Sequence, residues 1–131
     1  MSEQENVEVI TRIYEAFGKG DIPFILEQLH DDVQWVVHQE DYVPTSGNWS
    51  SKAKVPGFFQ AINDSMELSA FVPREFVAQG DTVVSIGDFD FKARGTGKSA
   101  QSKWVFVWKL RDGKVLSYEQ FHDTALAAAF R

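Results

Sequence analysis

Residues 71–122 read FVPREFVAQGDTVVSIGDFDFKARGTGKSAQSKWVFVWKLRDGKVLSYEQFH, and they decide the fold class. The stretches FVPREFVA, TVVSIGDFDFKAR, AQSKWVFVWKL and KVLSYEQFH are rich in β-branched and aromatic residues and alternate in polarity, as strands do. QGD, GTGK and RDGK separate them, and Gly in such turns supplies positive φ. Strands joined by turns this short predict an antiparallel meander.

Alternation also predicts two faces. Trp104, Phe106 and Trp108 share one face with Ser102, opposite Lys103, Val105, Val107 and Lys109. Gly87, Phe89 and Phe91 oppose Asp88, Asp90 and Lys92. In the last strand Leu116, Tyr118, Gln120 and His122 oppose Ser117, Glu119 and Phe121. The aromatic set should face inward, and Tyr118, Gln120 and His122 are its main polar members.

Upstream the period changes to that of helices. SEQENVEVITRIYEAFGKG spaces Val7, Ile10, Ile13, Tyr14 and Phe17 at helical intervals, with acidic residues at its start and Gly18 and Gly20 at its end. Asp21 can cap a second, short helix with Pro23 in its first turn, burying Phe24, Ile25 and Leu29. Val33 to His38 reads as a strand that turns Trp35 to one face and His38 to the other. His30 falls in the turn before it, and Asp31 and Asp32 read as turn residues. Residues 40–54, with Pro44, Gly47 and several Ser, read as a long loop, the kind that covers or borders sites. Its Trp49 can close a mouth or anchor the loop. Pro56 starts a third helix carrying Phe58, Phe59, Ile62 and Met66. Helices followed by a meander make an α+β domain.

The 131 residues fit one domain, 1–131, large enough to bury roughly two-thirds of its unfolded surface. Eleven Phe and four Trp exceed what a minimal core needs, so a cavity or an interface should take the surplus. A net charge of −6 argues against a nucleic-acid partner. The absence of Cys excludes disulfides and thiolate chemistry, and the three His lack metal-ligand spacing, so neither metal nor cofactor is expected. The polar N-terminus is no signal peptide, and no apolar run is long enough to span a membrane, which predicts a cytoplasmic protein.

The order of GKGD, LHDDVQW, GNW, GTGKS, WKLRDGKV and FHDTALAAAF resembles the SnoaL-like branch of the nuclear-transport-factor-2-like superfamily, over nearly the whole chain. That superfamily also holds ketosteroid isomerases and limonene-epoxide hydrolases. The resemblance implies a cone: a strongly curved, mostly antiparallel sheet wrapped around N-terminal helices, enclosing an apolar cavity, commonly in a homodimer. It does not carry the catalytic groups across. The positions of the isomerases' tyrosine, aspartate base and protonated acid fall at Ile13, Val37 and Phe106. The hydrolases' Asp–Arg pair and second Asp fall at Phe89, Gly87 and Gln120, with Trp35 and Val37 at their first-strand Tyr and Asn. The cyclases' last-strand aspartate falls at Gln120, and an amide cannot transfer protons at neutral pH.

What the resemblance adds is an inward register for Trp35, Val37, Phe89, Phe91, Trp104, Phe106, Tyr118, Gln120 and His122, facing Tyr14 and Phe17 of the first helix. Three readings follow. His122, the one inward group able to titrate near neutrality, could move a proton on a small hydrophobic carbonyl, steroid or polyketide-like compound. The cavity could bind such a ligand without turnover. Or the aromatics fill a solid core and the chain is a dimeric interaction module. A cavity in the usual range for ligand sites, about 300–1,000 Å³, separates the first two from the third. Asp123 is read as the cap of the alanine-rich helix after it. The outer-face set Val36, Val84, Ile86, Val105, Val107 and Phe121, rimmed by Asp88, Asp90, Lys103 and Lys109, predicts a homodimer.

Overall fold

The computed structural model describes residues 2–131. Helix α1 (Glu3–Lys19) opens on a reciprocal cap: the Ser2 hydroxyl accepts from the Glu5 N–H, and the Glu5 carboxylate accepts from the Ser2 N–H. It buries Asn6, Val9, Ile10, Ile13 and Ala16, one helical stripe. Gly20, at φ 71°, ends it in the left-handed conformation, and its N–H returns to the carbonyls of Ala16 and Phe17. Asp21 then caps α2 (Ile22–Glu27) by accepting from the Phe24 N–H.

Strand β1 (Leu29–His38) follows at once. It is longer than its polarity predicts. His30, Asp31 and Asp32 lie within it rather than in a turn, in an irregular stretch between Leu29 and Gln34 where the register shifts. The loop after it contains a two-residue strand, β2 (Gly47–Asn48), paired with the edge of β1. Helix α3 (Val55–Ser65) has Pro56 in its first turn. Strand β3 (Met66–Gln79) starts directly from it, five residues earlier than residue 71, where alternation becomes readable. Strands β4 (Thr82–Ala93), β5 (Ser99–Arg111) and β6 (Lys114–His122) complete the meander.

The sheet order is β2-β1-β6-β5-β4-β3, antiparallel except for the parallel β1–β6 pair. It is curved and unclosed, with the helices on its inner face. Irregularities between Leu68 and Ala70, between Pro73 and Glu75, and between Lys109 and Leu110 mark where strands can bend, because a bulge kinks and twists its strand. Pro73 lacks an N–H and sits on the edge strand β3, beside one of these shifts. The shift near Leu110 also corrects the inward set of β6: Val115 is buried where alternation pointed to Leu116, which is half-buried.

The meander's aromatic face is the core face. Trp35, Trp104, Trp108, Phe91 and Tyr118 are all buried in one cluster with the stripe of α1. The chain ends in a 3-10 helix (Thr124–Phe130) rather than an α-helix. The Asp123 carboxylate caps it, accepting from the Ala125 N–H at 2.9 Å, and it buries Leu126. Among the described residues no helix is long and apolar enough to cross a membrane.

Candidate functional site

Helices α1 and α3 and the inner face of the sheet enclose a cleft with aromatic walls. The structure brings Tyr14, Phe17, Trp35, Phe89, Phe91, Trp104, Phe106, Tyr118, Gln120 and His122 around it. Val37 is buried but does not line it. It lies in β1 opposite Gly47, where β2 forms the edge of the sheet, and Val43 and Thr45 of the loop line the cleft. Trp49 does not line the cleft either. It anchors the loop: its indole donates to the Thr45 carbonyl at 3.0 Å, and its N–H donates to the Trp35 carbonyl at 2.7 Å.

The rings interlock. Trp104 stacks on Phe106 at 4.1 Å and on Phe71 at 5.0 Å, and Trp35 stacks on Tyr118 at 4.1 Å. Phe58, Phe59, Phe71 and Trp108 also line the cleft and fill much of it. The free cavity left among these side chains is about 80 Å³. That is well below the range of about 300–1,000 Å³ that separates the two ligand readings from the solid core, so on that criterion the cleft as it stands counts for the packed core. The reason is Phe58 and Phe59 of α3 and Phe71 of the edge strand, which line the cleft together with the aromatics of the central strands.

Polar groups in the cleft are few. The Tyr14 hydroxyl accepts from the Trp108 indole at 2.9 Å and hydrogen-bonds with the buried Ser85 hydroxyl, so it is committed to the wall. Burial pushes its phenol pKa well above the ordinary value. The indole nitrogens of Trp35 and Trp104 are buried with no acceptor among the described residues.

Apart from Thr45 of the loop, the remaining polar side chains form one row on β6, at every second residue. The Tyr118 hydroxyl lies 2.5 Å from the Gln120 side-chain oxygen, and the Gln120 nitrogen lies 2.7 Å from His122 Nε2. The Gln39 amide nitrogen stands 3.2 Å from His122 Nδ1. Burial pushes the Tyr118 phenol well up and lowers the His122 imidazole to about 4, leaving it neutral at pH 7. Gln39 was not singled out in the sequence, although alternation from Trp35 through Val37 puts it on the inner face. The parallel register, Trp35 beside Tyr118 and Val37 beside Gln120, carries it to His122.

His122 and Asp123, adjacent in the chain, thus divide: the imidazole faces the cleft and the carboxylate caps the helix. His38 lies on the outer face, stacked on Phe121 at 4.6 Å and 3.9 Å from the Glu119 carboxylate.

The SnoaL-like domain model matches residues 10–118. The chain belongs to this family. Among solved structures, an NTF2-like protein from Burkholderia xenovorans LB400 is 32% identical over 100% of this chain and 99% of that chain, with a TM-score of 0.91. An NTF2-like protein from Burkholderia pseudomallei K96243 is 29% identical, covering 97% and 95%, with a TM-score of 0.81. TerC, co-crystallised with polyporic acid, is 31% identical over 96% of this chain and 98% of that chain, with a TM-score of 0.82. None of the curated proteins compared matches the chain. In this SnoaL-like domain the β6 row carries Gln120 between Tyr118 and His122. The polar lining is therefore two neutral hydrogen-bonding groups and a weakly basic imidazole rather than a carboxylate.

Proposed function

We propose that the chain binds a small, flat, ring-bearing apolar compound that carries a hydrogen-bond acceptor oxygen, a ketone or an enol. The cleft and the β6 row hold this ligand without covalent chemistry. The observation that carries the reading is the hydrogen-bonded row Tyr118–Gln120–His122 on one strand of an otherwise largely apolar cleft. Apolar walls with a few convergent polar groups are the usual make-up of a small-molecule site. The free space is below the usual range for ligand sites, so this reading requires the lining rings to part around a thin ligand. Stacked rings such as Trp35 on Tyr118 offer flat faces to it.

Proton transfer by His122 is the weaker reading. A general base needs a ring nitrogen facing the proton it takes. Both His122 nitrogens already face glutamine amides, and an imidazole lowered to about 4 is a poor base at pH 7. The co-crystal of TerC with polyporic acid supports a ring-bearing organic ligand in this kind of domain. The narrowness of the cleft favours one competing reading, a packed core in an interaction protein.

Thermal unfolding with polyporic acid and with single-ring aryl ketones separates these readings. A ligand at about one hundred times its Kd adds about 2.7 kcal/mol to folding stability, which raises Tm by several degrees. A Tm unmoved by any of these compounds at their solubility limit favours the packed core.

A further inference from the structure

The β6 row has a direction, and Gln39 sets it. A neutral imidazole carries one N–H, so one ring nitrogen donates and the other accepts. Here both ring nitrogens of His122 face an amide nitrogen, that of Gln39 at 3.2 Å and that of Gln120 at 2.7 Å. An N–H pointed at an NH₂ group is repulsive, so one of the two amides must present its oxygen instead. The oxygen and nitrogen of a side-chain amide occupy nearly the same volume, and the surrounding hydrogen bonds decide between them.

Gln39 cannot be the one that turns. Its oxygen accepts from the Glu40 N–H at 2.9 Å, and its nitrogen faces the Asp123 carbonyl at 3.5 Å. Turning it over would set NH₂ against N–H and oxygen against oxygen. The partner of Gln120 is the Tyr118 hydroxyl, which donates or accepts equally well, so Gln120 turns without loss.

We infer that Gln39 fixes His122 as the Nε2–H tautomer, which turns the whole row so that the Tyr118 hydroxyl donates its proton to an acceptor oxygen of a ligand in the cleft. Gln39 donates to Nδ1. Nε2–H donates to the Gln120 oxygen, the Gln120 nitrogen donates to the Tyr118 oxygen, and the phenol proton is left unused by the chain. Among the described residues the Tyr118 hydroxyl has no hydrogen-bond partner other than the Gln120 side chain. A buried hydroxyl with a free proton selects a carbonyl or enolate oxygen and rejects an isostere that lacks one. Gln39 is a positioning residue, acting through His122 and Gln120. The ligand class rests on the pocket reading above; the tautomer does not.

Two measurements test this separately. Long-range ¹H–¹⁵N correlation on the unliganded protein at pH 7 reads the tautomer of His122. A protonated Nε2 with bare Nδ1 is expected. Protonated Nδ1 with bare Nε2 overturns the proposal. In Gln39→Glu an acceptor replaces the donor, and Nδ1 should become protonated; a bare Nδ1 in that variant removes Gln39 as the cause and overturns its role.

The second measurement compares acetophenone with ethylbenzene by titration. Wild type should prefer acetophenone about threefold to tenfold, the range of one net hydrogen bond. Tyr118→Phe should lose that preference while keeping its affinity for ethylbenzene. Equal binding of both compounds to wild type overturns the donor role of Tyr118. Binding of neither overturns the ligand reading, and the tautomer then decides the order of the row alone.

Discussion

Trp104 lies against the backbone of Gly87, its directly paired residue on β4. A Cβ placed on Gly87 would stand 2.3 Å from the Trp104 ring and 2.4 Å from the Val72 carbonyl oxygen. Gly87 is therefore the gap into which the indole fits, and the indole in turn carries the stack of Phe71 and Phe106. Gly87→Ala should push Trp104 into the cleft and cost about 1–3 kcal/mol, as overpacking does. Denaturant unfolding monitored by tryptophan fluorescence measures it. An unchanged midpoint would mean that the strands have room to part.

Burial lowers His122 to about 4, against an ordinary value near 6.5. The unfolded chain then binds more protons than the folded one between these two values. Stability should rise with pH through that window and fall as pH drops from about 6.5 to about 4. The slope from this group is at most about 1.4 kcal/mol per pH unit. Above pH 7 the group contributes no pH dependence. The difference between wild type and His122→Ala, followed by urea unfolding from pH 4 to 8, isolates it from the carboxylates. Parallel curves for the two proteins would show that the imidazole is solvated.

Asp123 accepts from the Ala125 N–H at the start of the 3-10 helix. Asp123→Ala should lower stability by about 0.5–2 kcal/mol and leave ligand binding within error, since its carboxylate is outside the cleft. Loss of binding with unchanged stability would reverse the division of roles between Asp123 and His122.

Of the outer-face set, Val105 and Phe121 are exposed while Val36, Val84, Ile86 and Val107 are half-buried; Val72 and Val77 of β3 are also exposed. We expect this face to be covered by a second copy of the chain. Sedimentation velocity at micromolar concentration should show a dimer, and Phe121→Glu should shift it toward monomer. Wild type that runs only as monomer contradicts the expectation.

Much of this architecture can be read from residues 71–122, because alternation in long strands is a strong signal. Trp104, Phe106, Tyr118 and Gln120 face inward as it predicts. It fails where the period breaks. At the shift between Lys109 and Leu110 one strand slips past the other, and Val115 takes the buried place expected for Leu116. Asp31 and Asp32 have turn chemistry but lie in β1, in the irregular stretch where the register shifts and where the Asp31 carbonyl accepts from the Lys52 N–H. The cleft's walls follow from strand faces. Its narrowness comes from Phe58, Phe59 and Phe71, whose contribution depends on how α3 and the edge strand close over the sheet, which no local pattern encodes. Gln39 lies one residue past the strand, and only the parallel pairing of β1 with β6 brings it to His122.

A small aromatic ligand in the cleft would sit against its tryptophans. Three tryptophans, Trp35, Trp104 and Trp108, line the cleft, and Trp49 does not. The four indole N–H resonances of ¹⁵N-labelled protein, followed while acetophenone is titrated in, report on the cleft and carry their own control. The account predicts saturable shifts in the resonances of Trp35, Trp104 and Trp108 with that of Trp49 nearly fixed. Four resonances unmoved up to the solubility limit, or a shift confined to Trp49, would contradict it.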